Sequence, residues 1–279
     1  MAIKIVSDSS SNLLSFAAAS YSAVPLKVIT KEKEYSDDAA LDVEGMIADL
    51  RKVHGRTGTS CPNVFEWREA MGDDGDVIAI TITSNLSGSY AAAMQAKKEL
   101  EQESPDRHIA VIDSLSTGPE MQLVIEHLAE LIAADKPFSE VEREARAYLA
   151  HTHLIFCLQS LENLARNGRV NLLVAKIAGA LGIRIVGIAS AEGTLELLHK
   201  PRGAVRARES ILSVMRKQGY QGGRVRIAHC LNEAGATALA EAIRKEFPTA
   251  QIEILKTTAL CSFYAEEGGL MIGYEDIVS

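Results

Sequence analysis

Several protein classes are excluded by what this 279-residue chain does not contain. It has no excess of positive charge: 29 Lys and Arg stand against 37 Asp and Glu, a net charge of −8. Phosphate backbones attract basic faces, so no nucleic acid is expected as a partner. The same acidity argues against stable attachment to anionic lipid. The four cysteines, Cys61, Cys157, Cys230 and Cys261, lie far apart with no C-x-x-C pair, a pattern that fits a reducing cytosol better than a disulfide framework. No apolar run approaches the roughly 20 residues of a membrane span, and the opening MAIKIVSDSS lacks the apolar core of a signal peptide. A cytoplasmic protein is expected, with transient membrane contact allowed and insertion not. The phosphate loop G-x-x-x-x-G-K-[ST], a post-strand G-x-G-x-x-G and the hydrolase elbow G-x-S-x-G are all missing, which removes the usual nucleotide, dinucleotide and serine-hydrolase signatures.

What the chain does contain is alternation. Short Ile- and Val-rich runs at residues 3–6, 77–82 and 109–112 read as parallel strands covered on both faces. Helical patterns lie between them. Val43, Met46, Ile47 and Leu50 share one helix face with Asp42 as N-cap, and further helices are predicted over 88–100 and 119–133. The second half supplies strand candidates at 154–158, 183–189, 195–199, 225–230, 252–256 and 270–274. Helices are expected near 161–166, 172–181, 204–217 and 233–247. A turn at Glu192-Gly193 implies a hairpin and antiparallel pairing. The expected fold is α/β with two lobes. Residues 1–154 form a doubly wound, mostly parallel sheet, and residues 155–279 form an α+β lobe with a largely antiparallel sheet.

Polar chemistry collects at the carboxyl ends of the first-lobe strands, where ligands bind in open parallel sheets. The segments are Ser7-Asp8-Ser9-Ser10, Thr83-Ser84-Asn85-Leu86-Ser87-Gly88-Ser89, and Asp113-Ser114. Such residues also serve simply as helix caps. Thr83–Ser89 leaves a strand and starts a helix, whose N–H groups carry partial positive charge, and Gly88 would admit an oxygen close to the backbone. Thr59-Ser60-Cys61-Pro62 reads as a second such cradle, with Pro62 as the first residue of a helix over 64–71. Neither segment contains Lys or Arg, so the expected ligand is a single weak anion such as a carboxylate. Leu161 to Val170 places Gly168 as a helix cap, from which Arg169 projects; a surface ion pair is the ordinary fate of such an arginine. His151, His153 and Cys157 lack a fourth ligand at metal spacing, and no metal is expected.

In order and spacing these segments resemble the DegV family, the bacterial fatty-acid-binding proteins that serve fatty acid kinase. Thr59-Ser60-Cys61-Pro62 resembles its T-S-x-P motif, and Ser84 to Tyr90 resembles S-S-x-L-S-G-T-Y. Asp113-Ser114 matches a D-S pair, and Leu161 to Val170 matches L-x-x-L-x-x-x-G-R-[IV]. Lys200-Pro201-Arg202-Gly203 resembles the basic segment after the hairpin. The resemblance implies a buried acyl chain between two lobes. Its carboxylate would be held by Thr59, Ser60, Ser87 and Gly88, with Arg169 at the cleft mouth for acyl phosphate formation or kinase docking. The chain would then be a carrier of a long-chain fatty acid, with no cofactor of its own and no catalytic residue, and phosphoryl transfer from ATP would belong to the partner kinase. One stretch departs from the family. Where H-x-G-P-G is common, this chain has Tyr264-Ala265-Glu266-Glu267-Gly268. Tyr264 then stands for the histidine as a neutral donor that cannot become cationic, although a packed aromatic would look the same. Glu266 and Glu267 would disfavour an anionic head group unless they face away. Two rivals are a serine hydrolase with Ser87 as nucleophile and Asp113 as acidic partner, and a binding module for another small carboxylate or phosphate.

Overall fold

The computed structural model describes residues 3–171 and 182–276; the helix expected over 172–181 lies outside them. The first sheet has four parallel strands in the order β2-β1-β6-β7: β1 (Ile3–Asp8), β2 (Tyr21–Val24), β6 (Asp76–Thr81) and β7 (Ile109–Asp113). Successive side chains of a strand face opposite ways, and the two faces sort accordingly. Ile5, Ile78, Ile80 and Ile112 join one core with α4 (Pro119–Ala133) and α5 (Phe138–Leu149). Val6, Val77, Ala79 and Val111 join another with α2 (Val64–Met71) and α3 (Ser89–Glu103). All six residues of β6 are buried, which is why its middle, Val77 to Ile80, is a continuous apolar run.

The second sheet has six strands in the order β10-β9-β8-β13-β11-β12: β8 (Thr152–Leu158), β9 (Ile185–Ala189), β10 (Leu195–His199), β11 (Gly223–His229), β12 (Ala250–Lys256) and β13 (Leu270–Glu275). Only β11 and β12 pair in parallel. The hairpin β9–β10 turns at Gly193, whose φ is +76°. One face is covered by α7 (Ala204–Lys217) and α8 (Glu233–Glu246). The other face carries Leu154, Phe156, Leu158 and Met271 toward α9 (Ala259–Ala265). The mostly parallel and largely antiparallel lobes expected above are therefore both present.

Four pieces were not anticipated. The strands β3 (Lys27–Ile29), β4 (Glu34–Ser36) and β5 (Gly58–Ser60) form a small antiparallel sheet in the order β4-β3-β5. Each has three residues, too few for a period-2 pattern. Strand β2 is similarly short. Helix α5 buries only Val141, Ala145 and Tyr148 of its 12 residues, and its many charges hide that stripe. Helix α9 is buried nearly all round, so it has no polar face to betray a helical period. Helix α1 (Val43–Leu50) starts as read, with the Asp42 carboxylate accepting from the Gly45 N–H at 3.0 Å.

Helix α4 lies between the two large sheets. Ten of its 15 residues are buried, too many for a helix with one covered face. It packs on β1 and β6 on one side and on β8, β11 and β13 on the other. Its entry is tight: Gly118 has φ +60°, and a Cβ there would lie 2.7 Å from Met271 Cε. Among the described residues, no helix is long and apolar enough to cross a membrane.

Candidate functional site

Strand β5 carries Thr59, held by pairing opposite Val28 of β3. The Thr59 hydroxyl lies 2.7 Å from the Tyr264 phenol oxygen. Tyr264 sits on α9, whose start is fixed by residues far away in sequence. The Asp37 carboxylate accepts from the Ala259 N–H at 2.6 Å, the Leu260 N–H at 3.1 Å and the Thr258 hydroxyl at 3.2 Å. Asn12 accepts from the Thr258 N–H at 2.6 Å and donates to the Lys256 carbonyl at 2.8 Å. Asp37 is 1% exposed, and burial pushes its carboxyl up to about 6 against the opposing pull of these donors. These bonds satisfy the first N–H groups of a buried helix, which would otherwise be orphaned.

The loop carrying Ser87 and Gly88 is pinned in a similar way. The Asp8 carboxylate accepts from the Ile82 N–H at 3.0 Å, the Ser89 hydroxyl at 2.6 Å and the Ser10 hydroxyl. It is fully buried, and desolvation raises its carboxyl above the usual range. Ser87 Oγ accepts from the Ser89 N–H at 3.3 Å. The Asp113 carboxylate holds the N–H groups of Ser84 and Leu115, each at 3.1 Å. From the other lobe, the hairpin tip closes onto the loop. Thr83 donates to the Gly193 carbonyl at 2.9 Å, and Asn85 donates to the Glu192 carbonyl. A Cβ on Gly193 would fall 2.3 Å from Thr83 Oγ1, so only glycine fits.

Arg169 reaches the same loop from α6 (Glu162–Arg166). Asn167 caps that helix, Gly168 follows at φ +75°, and the N–H groups of Arg169 and Gly168 return to the carbonyls of Leu164 and Ala165 at 2.8 and 3.1 Å. This is a Schellman stop. It aims Arg169 Nε at the Leu86 carbonyl, 3.2 Å away, while another guanidinium N–H donates to the Asn167 carbonyl. No carboxylate pairs with Arg169 among the described residues.

These pieces border one cavity of about 280 Å³. Thr59, Ser60, Ser87, Gly88, Arg169 and Tyr264 all line it. Short approaches gather them: Thr59 to Tyr264, Arg169 to Leu86, and Gly88 to Cys61, whose sulfur lies 3.2 Å from where a Gly88 Cβ would be. The remaining lining is largely aliphatic, with Leu154, Phe156 and Leu158 at alternate positions of β8 and Met271 beside them. Arg169 is the single formally charged residue in the lining, and no His, Asp or Glu joins it among the described residues.

Three expectations need correction. Thr59 and Ser60 lie in a strand and do not begin a helix. Helix α2 is capped one residue after Pro62, because Asn63 and Glu66 exchange bonds of 3.0 and 2.8 Å in a capping box; Pro62 is therefore not its first residue. Of the two expected cradles, the one at the start of α3 is a helix N-terminus beside the cavity, through Ser87 and Gly88, and the other is not. The Ser7–Ser10 segment is not a cavity wall either: it is fully buried scaffold, with Ser9 Oγ accepting from the Leu26 N–H and the Ser10 carbonyl from the Gly118 N–H. Asp113, the acidic partner of the hydrolase reading, engages backbone at Ser84 rather than Ser87. His229 borders a separate depression with Lys256 and Thr257.

Glu266 and Glu267 do not line the cavity. Glu267 pairs with Arg51 at the surface, and Glu266 turns onto α6. His151 and His153 both contact Asp276, at 2.9 and 3.0 Å. Sequence reasoning missed Asp8, Asn12 and Asp37 as supports of the site. Asp37 lies 222 residues from Ala259, and nothing local marks it.

Residues 2–276 match the family described as "Uncharacterised protein, DegV family". A DegV domain-containing protein of Streptococcus pyogenes serotype M18 is 42% identical over 279 residues, covering 99% of this chain and 100% of that one. Two solved structures superpose with a TM-score of 0.97 at 39% identity, covering 99% of this chain and all of theirs. One is a DegV family protein from Eubacterium eligens loaded with heptadecanoic acid. The other is the Streptococcus pneumoniae fatty acid kinase (Fak) B3 protein loaded with linoleic acid.

Proposed function

The chain belongs to the DegV family, and on that premise we propose that it holds one long-chain fatty acid in the cavity and presents its carboxylate to a fatty acid kinase. The observation that carries this reading is an aliphatic cavity whose hydroxyls, glycine and single arginine are drawn together by short approaches. Each buried methylene contributes roughly 0.8 kcal/mol, so the tail supplies affinity. The head group contributes orientation, since a buried carboxylate without hydrogen bonds is costly. Thr59 and Tyr264 suit that task. One hydroxyl donates to the other, and the acceptor's own proton remains to serve a carboxylate, in a chain whose bonds strengthen one another. Ser87 and the Gly88 backbone add donors from the opposite wall. Arg169 supplies positive charge where an acyl phosphate would form.

On this reading the cavity joins lobes 1–154 and 155–279, the chain is a cytoplasmic carrier rather than an enzyme, and ATP and phosphoryl transfer belong to the kinase. A small carboxylate or phosphate would leave the aliphatic wall without a partner. Native mass spectrometry of the purified protein tests the proposal: a retained mass matching a long-chain acid is expected, and a protein that takes up none when offered oleic acid sinks it. Fluorophosphonate labelling separates the hydrolase reading, which requires stoichiometric modification at Ser87; none is expected.

A further inference from the structure

Tyr264 stands on α9 and Arg169 just beyond the end of α6, and the side chains of Glu266 and Asn163 bridge the two helices. Glu266 follows the last residue of α9 as its C-cap, with φ +54°. Its N–H donates to the Ser262 carbonyl at 2.9 Å. Its carboxylate reaches across to the start of α6, where one oxygen accepts from the hydroxyl of Ser160, just before the helix, at 2.9 Å and from the Asn163 N–H at 3.1 Å. Asn163 answers with a bond from its amide to the Phe263 carbonyl at 2.8 Å. The Asn167 amide in turn donates to the Asn163 carbonyl at 2.9 Å, and the Schellman stop carries the chain to Arg169.

We propose that Glu266 is a positioning residue, a rigid strut that sets the Arg169 corner relative to Tyr264 so that the carboxylate-holding and phosphate-facing sides of the cavity act as one unit. Two features make a purely incidental acid unconvincing. A left-handed backbone strains any L side chain, so a glutamate at this position gives up stability that glycine would keep. A second anion beside an anionic ligand is also unfavourable, and here it is turned out of the cavity onto donors of α6. The resemblance puts Gly-Pro where Glu266-Glu267 stand, so the strut would belong to this chain rather than to the motif.

The ligand's identity rests on the proposed function; the strut itself does not. Three variants separate the contributions. Glu266→Gly removes both bonds and the backbone strain. Glu266→Ala removes the bonds and keeps the strain. Glu266→Gln keeps the acceptor oxygen and removes the charge. Amide hydrogen exchange over residues 162–169 should speed by about tenfold in the Gly and Ala variants, the response to losing helix caps, and stay near wild type in Gln. Parinaric acid affinity should move by less than about threefold in all three. Acyl phosphate formation with the Streptococcus pneumoniae kinase, at saturating acid, should fall by about tenfold in Gly and Ala and recover in Gln. Unchanged exchange over α6 in Glu266→Gly overturns the strut. So does a parallel fall of affinity, rate and thermal midpoint in all three variants, which would make Glu266 a residue of the fold alone. Wild-type protein that takes up no acid defeats the functional reading, while the exchange data still decide the strut.

Discussion

The two walls of the polar end are supported by the same device used differently. Beneath the Ser87–Gly88 loop, Asp8 is met by two hydroxyls and one backbone N–H. Beneath Tyr264, Asp37 is met by two backbone N–H groups and one hydroxyl. Neither carboxylate has a cation among these partners. Asp8 works within one lobe and fixes a loop by its side chains, whereas Asp37 reaches from a small peripheral sheet to the first turn of a helix near the other end of the chain. The two walls should therefore yield at different cost. A hydroxyl can rotate to a new partner, but the first N–H groups of a buried helix cannot.

The largest expected effect follows from removing both supports in turn. Asp8→Ala and Asp37→Ala should each cost about 3–4 kcal/mol, with Asp8→Ala at the lower end because two of its three donors are hydroxyls that can turn to other partners. Urea midpoints measure this, and Asp37→Ala should be the more costly of the two. A reversed order would show that the helix N–H groups are no harder to satisfy than the loop hydroxyls.

Acid titration separates the two supports further. The Asp37 carboxyl is held near 6, against an ordinary value of 3.8. The folded state therefore binds this proton more tightly than the unfolded chain, and stability falls as pH rises from about 4 to about 6. The span corresponds to about 3 kcal/mol. Buried Glu120, pushed to about 7, contributes a slope of the same sign, so the test is the difference between wild type and Asp37→Asn. The variant should lose the part of the slope between pH 4 and 6; identical curves would show that Asp37 does not titrate there.

Smaller effects concern the ligand itself. Thr59→Val with Ser87→Ala, one change on each wall, should weaken fatty acid binding by about tenfold, the worth of one or two hydrogen bonds. Unchanged affinity in a fluorescent-acid titration would remove both residues from the head-group site. Arg169→Ala should shift affinity least, within about threefold, while slowing acyl phosphate formation. Loss of binding alone would make it the carboxylate's partner.

How much of this could be read in advance depended on whether a residue's partner lay nearby. The runs around Ile78 and Ile112 reveal buried parallel strands, and Asp42 and Pro119 mark helix starts, because those signals span a few residues. The motif residues Thr59, Ser87, Gly88, Arg169 and Tyr264 could be singled out and do border one cavity. The error at Thr59-Ser60 had a visible antidote: Asn63 and Glu66 spell a capping box that the preceding Thr, Ser and Pro drew attention away from. Asp37 and Asn12 were beyond reach, since their meaning depends on α9, and α9 is masked by burial on every side. That Glu266 faces away could be stated as a condition, but its acceptor role could not, because that role depends on a helix 100 residues earlier.

Helix α4 belongs to neither sheet alone. Its Leu123 and Ile125 are completely buried, and it is roofed by β13 as well as floored by β1. A chain cut after residue 154 would leave a greasy rod without its cover, and its complement would have a bare strand face where α4 had lain. The halves of the molecule should therefore melt together in a single calorimetric transition, and separately expressed fragments should be insoluble until they meet.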